Sequence, residues 1–158
     1  MTDDFAHLVA DVYEAAGELR RWGERIAAAE DQTQSRWQVL SAVSDGLRSV
    51  PDAARRLGIS RQAVQRTAND LVADGLVRVV DNPGHRTSPL VELTSAGREV
   101  LRRLTDRAAV ANDAVVARLG EVDLAAARAT LRAVCAHLRA DPAAPPPAPR
   151  RRDARSMR

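Results

Sequence analysis

The stretch Pro51–Val77, PDAARRLGISRQAVQRTANDLVADGLV, constrains this chain more than any other. Ala54 and Leu57 fall three apart, as apolar positions do on one helical face, and Val64, Ala68, Leu71 and Val72 recur at helical spacing further on. Gly58, Ile59 and Ser60 stand between the two stripes. A residue just past the last turn of a helix commonly needs positive φ, which glycine adopts without steric cost. A serine before a helix accepts one of the unpaired N–H groups of the first turn. The stretch predicts two short helices joined by a tight turn, a helix-turn-helix.

On a helical wheel the second stripe leaves Gln62, Arg66, Asn69 and, towards the edge, Gln65 facing outward. Guanidinium and amide groups are the ones that read base edges in a DNA major groove, arginine at guanine and asparagine or glutamine at adenine. A solvated helix would more usually carry Glu. From Ala53 to Arg66 the chain has Arg55, Arg56, Arg61 and Arg66 and no acidic residue. Such a local excess is what docks a helix against phosphates.

The net charge of +3 is weaker support, because residues 141–158 hold five Arg and two Asp and account for all of it. Residues 1–31 carry −5, residues 32–97 carry +2 and residues 98–140 carry +3. All 24 basic residues are arginine, and we have no functional reading of the missing lysine. At 158 residues the chain is one domain's worth. A single cysteine excludes an intrachain disulfide framework and a Cys-rich zinc site. No apolar run approaches the roughly 20 residues a membrane span needs, and the TDDF start is not that of a signal peptide. The expectation is a cytoplasmic protein with no membrane contact.

Taken in order, residues 4–29 predict a long amphipathic helix with Phe5, Leu8, Val9, Val12, Ala16, Leu19, Trp22 and Ile26 on one face. Thr33 is placed to cap a helix from Gln34 to Val43, buried through Trp37, Leu40 and Val43, and Asp45-Gly46 stops it. Ser49 caps the first helix of the pair, Pro51 lies in its first turn and Asp52 three after the cap. Leu76–Val80 and Leu90–Leu93 are short β-type runs around the turn signal Asn82-Pro83-Gly84, so a hairpin follows the helix pair. A hairpin there makes a wing, with His85 and Arg86 at its tip; an arginine so placed can enter the negative minor groove. Thr94 caps a further long helix with Val100, Leu101, Leu104, Ala108, Ala111, Val115 and Leu119 inward; Gly120 breaks it, and Asp123 starts a last helix through Leu124, Ala127, Leu131, Val134 and Leu138. Residues 141–158, rich in Pro and Arg, have nothing to bury and read as disordered. The fold class expected is mainly α with a small β-hairpin wing.

This order of elements resembles the MarR family of bacterial transcriptional regulators over roughly residues 5–139, on RWQVLSAV, AARRLGISRQAVQRTANDLVADGLV and PLVELTSAGREVL with its Leu93-Thr94 pair and Gly97. The resemblance implies a homodimer in which a helix at 1–31 and helices at 98–140 interlock, around a winged helix-turn-helix at 32–97, with the tail at 141–158. Its partner would be double-stranded DNA with a pseudo-palindromic operator, since two-fold symmetry in the protein is mirrored in the site. The DNA-facing set is then Arg36 as a phosphate contact, Ser49, Ser60, Arg61, Gln62, Gln65, Arg66, Asn69, His85 and Arg86. One departure is visible: the family's wing often reads Asp-Arg-Arg where this chain has His85-Arg86-Thr87.

Family members often release DNA on binding a small aromatic or acidic molecule, and Tyr13, Trp22 and Trp37 are the candidate pocket residues. Some relatives sense oxidants through a thiol, which makes Cys135 a redox candidate; beside Val134 and Leu138, it reads instead as an inert buried packing residue. Cys135 and His137 point about 200° apart on a helix, so no metal site is expected. No cofactor is implied, and no phosphate loop or nucleophile motif suggests an enzyme. The expected function is that of a dimeric DNA-binding repressor released by an effector. The competing readings are a winged-helix protein-interaction module, which would present an apolar or acidic face, and a non-specific DNA-binding protein.

Overall fold

The computed structural model describes residues 2–46, 48–84 and 88–140. In chain order the elements are α1 (Thr2–Ala28), α2 (Gln34–Ala42), β1 (Arg48–Ser49), α3 (Val50–Leu57), α4 (Arg61–Ala73), β2 (Val77–Val80), β3 (Leu90–Leu93), α5 (Ser95–Leu119) and α6 (Leu124–Ala140). The mainly helical architecture with a small wing is as expected. The chain divides into two compact units, Met1–Val115 and Val116–Arg158.

In the first unit every helix start predicted from a capping residue is present as such. The Thr33 hydroxyl accepts from Arg36 N at 3.3 Å, Ser49 caps α3 and Ser60 caps α4. Pro51 occupies the first turn of α3, where its missing N–H removes no intrahelical bond. Gly58 closes α3 in the left-handed region at φ 67°, so the turn into α4 needs a residue without a Cβ penalty.

The sheet is three-stranded and antiparallel in the order β1-β3-β2. Val79 pairs with Val91 and Arg78 with Glu92 across the hairpin, and Arg48 pairs with Val91 on the other edge of β3. The two-residue β1 was not anticipated, being too short to show a period.

Leu40, Leu71, Leu104, Val39, Val64 and Val77 are fully buried and centre the core, with Trp37, Leu57 and Leu101 packed against it. Val72 departs from the expected stripe and is exposed, because at the last turn of α4 it faces a cleft beside the wing and not α2. The start of α5 rests on the chain leaving α4. Thr94 Oγ1 accepts from Gly97 N at 3.0 Å and donates to the carbonyls of Gly75 at 2.8 Å and Leu76 at 3.1 Å. A Cβ on Gly97 would fall 1.9 Å from the Leu76 carbonyl oxygen.

Polar contacts fasten the helix ends. Glu24, near the end of α1, accepts from the first N–H of α2, Gln34 N, at 2.8 Å. Glu30 accepts from Arg103 Nε at 2.7 Å and from Arg107 Nε at 2.5 Å on α5. These hydrogen bonds, Arg107's the stronger, hold the Glu30 carboxyl below its usual range.

Part of the predicted apolar stripes is not buried within this chain. Phe5, Val9, Val12 and Leu19 of α1 are exposed. On α5, Val100, Leu104 and Ala108 are buried as expected, whereas Val115 is 44% exposed.

In the second unit, Leu119, at the end of α5, is also exposed, contrary to the inward placement expected of it. Gly120 breaks the helix at φ 68°. Asp123 Oδ1 caps α6 by accepting from Ala126 N at 2.9 Å. No α6 residue is buried, and Leu124, Leu131 and Leu138 are exposed. Cys135 is exposed as well, which corrects its reading as a buried thiol. The Pro/Arg-rich segment 141–158 lies outside the described residues. Among the described residues no helix is long and apolar enough to cross a membrane. No group of three or more His, Cys, Asp or Glu among them is placed to hold a metal ion.

Candidate nucleic-acid interface

The second helix of the pair, α4, is anchored by Val64, Ala68 and Leu71 in the core. That anchoring turns Arg61, Gln62, Gln65, Arg66 and Asn69 outward, all of them exposed. Arg61, Gln62 and Arg66 make no side-chain hydrogen bond or ion pair among the described residues. Gln65 Nε2 donates to Asn69 Oδ1 at 2.9 Å, one turn along the same helix. The N-terminal half of α4 carries no acidic residue; the nearest carboxylate along the helix is Asp70, exposed one turn beyond Arg66.

The other two arginines of the basic cluster are engaged within the chain. Arg55 pairs with Asp52 and Arg56 with Asp45, the latter at 3.0 Å. The Arg56 hydrogen bond depresses the Asp45 carboxyl, and the Ser49 hydroxyl, followed by Arg55, depresses that of Asp52. Charge counting along the sequence could not separate the free pair, Arg61 and Arg66, from the occupied one.

Ser60 is exposed but its hydroxyl accepts from Ala63 N at 3.2 Å. Ser49 is buried, and its hydroxyl donates to Asp52 Oδ2 at 2.5 Å. Arg36 stands apart from the α4 face. Its guanidinium meets Asp74, at the far end of α4, at 2.5 Å, its Nε donates to Gln32 Oε1 at 2.7 Å, and only 17% of the side chain is exposed. His85 and Arg86, the predicted wing tip, lie outside the described residues; at the base of the hairpin Asn82 Nδ2 donates to the Ser88 carbonyl at 2.8 Å.

Of the three aromatic residues expected to form a pocket, two come together. Trp22 and Trp37 line a cavity of about 330 Å³ between α1, α2 and the end of α3, with Leu19, Gln34, Arg56 and Leu57 on the same wall. Tyr13 does not contribute. It lies nine residues before Trp22, near the middle of α1, and is 77% exposed. Arg56 at this cavity was missed from the sequence; the only signal was that adjacent Arg55 and Arg56 point about 100° apart on a helix, so one of them turns towards α2.

Residues 31–86 match the profile of the MarR family. The chain belongs to that family of DNA-binding transcriptional regulators, which are not enzymes. Its relatives include the uncharacterised protein Rv2011c of Mycobacterium tuberculosis, 53% identical over 89% of this chain and 99% of that protein. The transcriptional activatory protein BadR of Rhodopseudomonas palustris is 38% identical over 56% of this chain and 53% of its own length. Among solved MarR-like folds, the regulator BldR of Sulfolobus solfataricus superposes with a TM-score of 0.75 at 22% identity, over 86% of this chain and 97% of that one. The M. tuberculosis regulator MosR, solved in complex with DNA, gives 0.69 at 23% identity over 84% and 96%.

Proposed function

We propose that two copies of this chain bind a two-fold-symmetric operator, with one α4 in each of two successive major grooves, and repress transcription until a small aromatic acid occupies the Trp22–Trp37 cavity. The observation that carries the reading is the outward face of α4, on which Arg61, Gln62 and Arg66 are exposed and, among the described residues, unengaged. Arginine supplies bidentate contacts to guanine, and the amides supply them to adenine. An interaction module would need an apolar or acidic face there. Arg86 on the wing is assigned to the minor groove and His85 to phosphate, while Ser60 and Arg61 serve backbone contacts at the start of α4.

The dimer is supported by apolar side chains that are exposed among the described residues: Phe5, Val9 and Val12 on α1, and Leu124, Leu131 and Leu138 on α6. Helices of one copy covering those of the other would remove this surface from water. Release by an acid is supported by Arg56, which borders the cavity while holding Asp45. A carboxylate entering beside the two indole rings competes with Asp45 for that guanidinium, and Arg56 sits on α3, the helix packed against α4.

Selection of binding sites from random duplexes tests the reading. A two-fold-symmetric site whose half-sites lie about one DNA turn apart, with steep salt dependence, is the expected result. The absence of any enriched sequence leaves the non-specific or protein-binding alternatives. The likeness to BadR gives activation as the second reading, which a reporter placed behind the selected site decides by the sign of its response.

A further inference from the structure

We infer that Gln65 and Asn69 read DNA as one hydrogen-bonded unit and not as two independent amides. This rests on the assignment of α4 as the DNA-reading helix and adds which chemistry sets base preference along one of its edges. Arg61, Gln65, Asn69 and Val72 line a shallow cleft between α4 and the sheet, facing Val79 and Pro89, whereas Gln62 and Arg66 are not part of it. The outward face of α4 thus has a wing-side edge bearing the paired amides and a far edge bearing a free amide and a free guanidinium.

The pair is already hydrogen-bonded in the free protein. Gln65 Nε2 donates to Asn69 Oδ1 at 2.9 Å across one helical turn, and an i, i+4 bond of this kind restrains two side chains that would otherwise each lose rotamer freedom on docking. It uses one Nε2–H of Gln65 and one lone pair of Asn69 Oδ1, and leaves Gln65 Oε1 as an acceptor and Asn69 Nδ2 as a donor wholly uncommitted. Adenine presents an N6–H2 donor beside an N7 acceptor in the major groove, the complement of that pattern. Here the acceptor and the donor that meet the base come from different side chains, where a lone Asn or Gln would supply both. Val72, exposed in the same cleft, adds the apolar surface that a thymine methyl takes. The ligand chemistry of this edge is an A·T pair.

A double-mutant cycle tests the unit. Wild-type protein and the Gln65→Ala, Asn69→Ala and doubly substituted variants are each put through binding-site selection and titrated on the wild-type site. Both positions are exposed, so thermal melts are expected to be unchanged and serve as the folding control. Each single variant is expected to lose about tenfold in discrimination at the same A·T pair of each half-site, and the double variant no more than either. Losses at different base pairs, or losses that multiply to on the order of a hundredfold in the double variant, overturn the inference. A wild-type protein without sequence preference overturns the DNA-reading assignment itself; a selective wild type indifferent to both substitutions overturns only the paired readout.

Discussion

The guanidinium of Arg36, in the first turn of α2, lies 2.5 Å from the carboxylate of Asp74, the residue that ends α4. The contact joins positions 38 residues apart and fixes the tail of α4 to the helix behind it. With Arg36 mostly shielded and Asp74 half exposed, the pair stabilises the fold by on the order of 1 kcal/mol, between the values of surface and buried pairs. Arg36→Ala is therefore expected to lower the melting temperature by about 2–4 °C and to leave base preference unchanged. Reduced affinity for all sequences at unchanged stability would return Arg36 to the phosphate contacts.

Gly97 is required by proximity, its Cβ position lying 1.9 Å from the Leu76 carbonyl oxygen. Backbone stands on both sides of the contact, so neither can swing away as a side chain would. Gly97→Ala is expected to destabilise by roughly 3 kcal/mol or more. Urea unfolding measures this, with Ser95→Ala, at an exposed position in the same turn of α5, as the control. A Gly97→Ala variant as stable as that control would contradict the close approach.

Acid stability has an assignable contribution in Glu30. Its folded carboxyl is held below the usual value of 4.5 by Arg107 and Arg103. A depressed carboxyl contributes stability that is present in full above the unfolded value and is lost as pH falls through the folded one. The stability gap between wild type and Glu30→Gln is accordingly expected to be constant above about pH 5 and to shrink below it. Urea melts at neutral pH and at about pH 3 check this; a gap that does not change with pH contradicts it.

Trp22 and Trp37 are the two tryptophans of the chain and both line the same cavity. Titration with benzoate is expected to quench their fluorescence saturably and to weaken DNA binding in parallel. Arg56→Ala is expected to weaken both effects together. Quenching without any change in DNA affinity would separate the cavity from regulation.

Local signals account for what could be read in advance. Thr33, Ser49, Ser60, Thr94 and Asp123 each act within three residues of the N–H groups they cap, so helix starts were legible in the sequence. Stripes were legible too, but a stripe does not say whose surface covers it: Val64 and Leu104 are buried in the core, while Leu19 and Leu131 are exposed. Tyr13 shares the helix of Trp22 but not its cavity, because helical phase places a residue on a face and says little about what stands opposite. The partners of Arg36, Arg55 and Arg56 were least legible. Which guanidinium is free depends on where Asp74, Asp52 and Asp45 come to rest, and only the fold decides that.

The most direct test of the account is titration of wild-type and Arg66→Ala protein on the selected operator and on its single-base-pair variants, at several salt concentrations. Base reading by Arg66 predicts a loss of about 1–3 kcal/mol confined to one base pair in each half-site, with the salt slope unchanged. An equal loss on every sequence with a shallower slope, or no loss at all, would contradict base reading by α4.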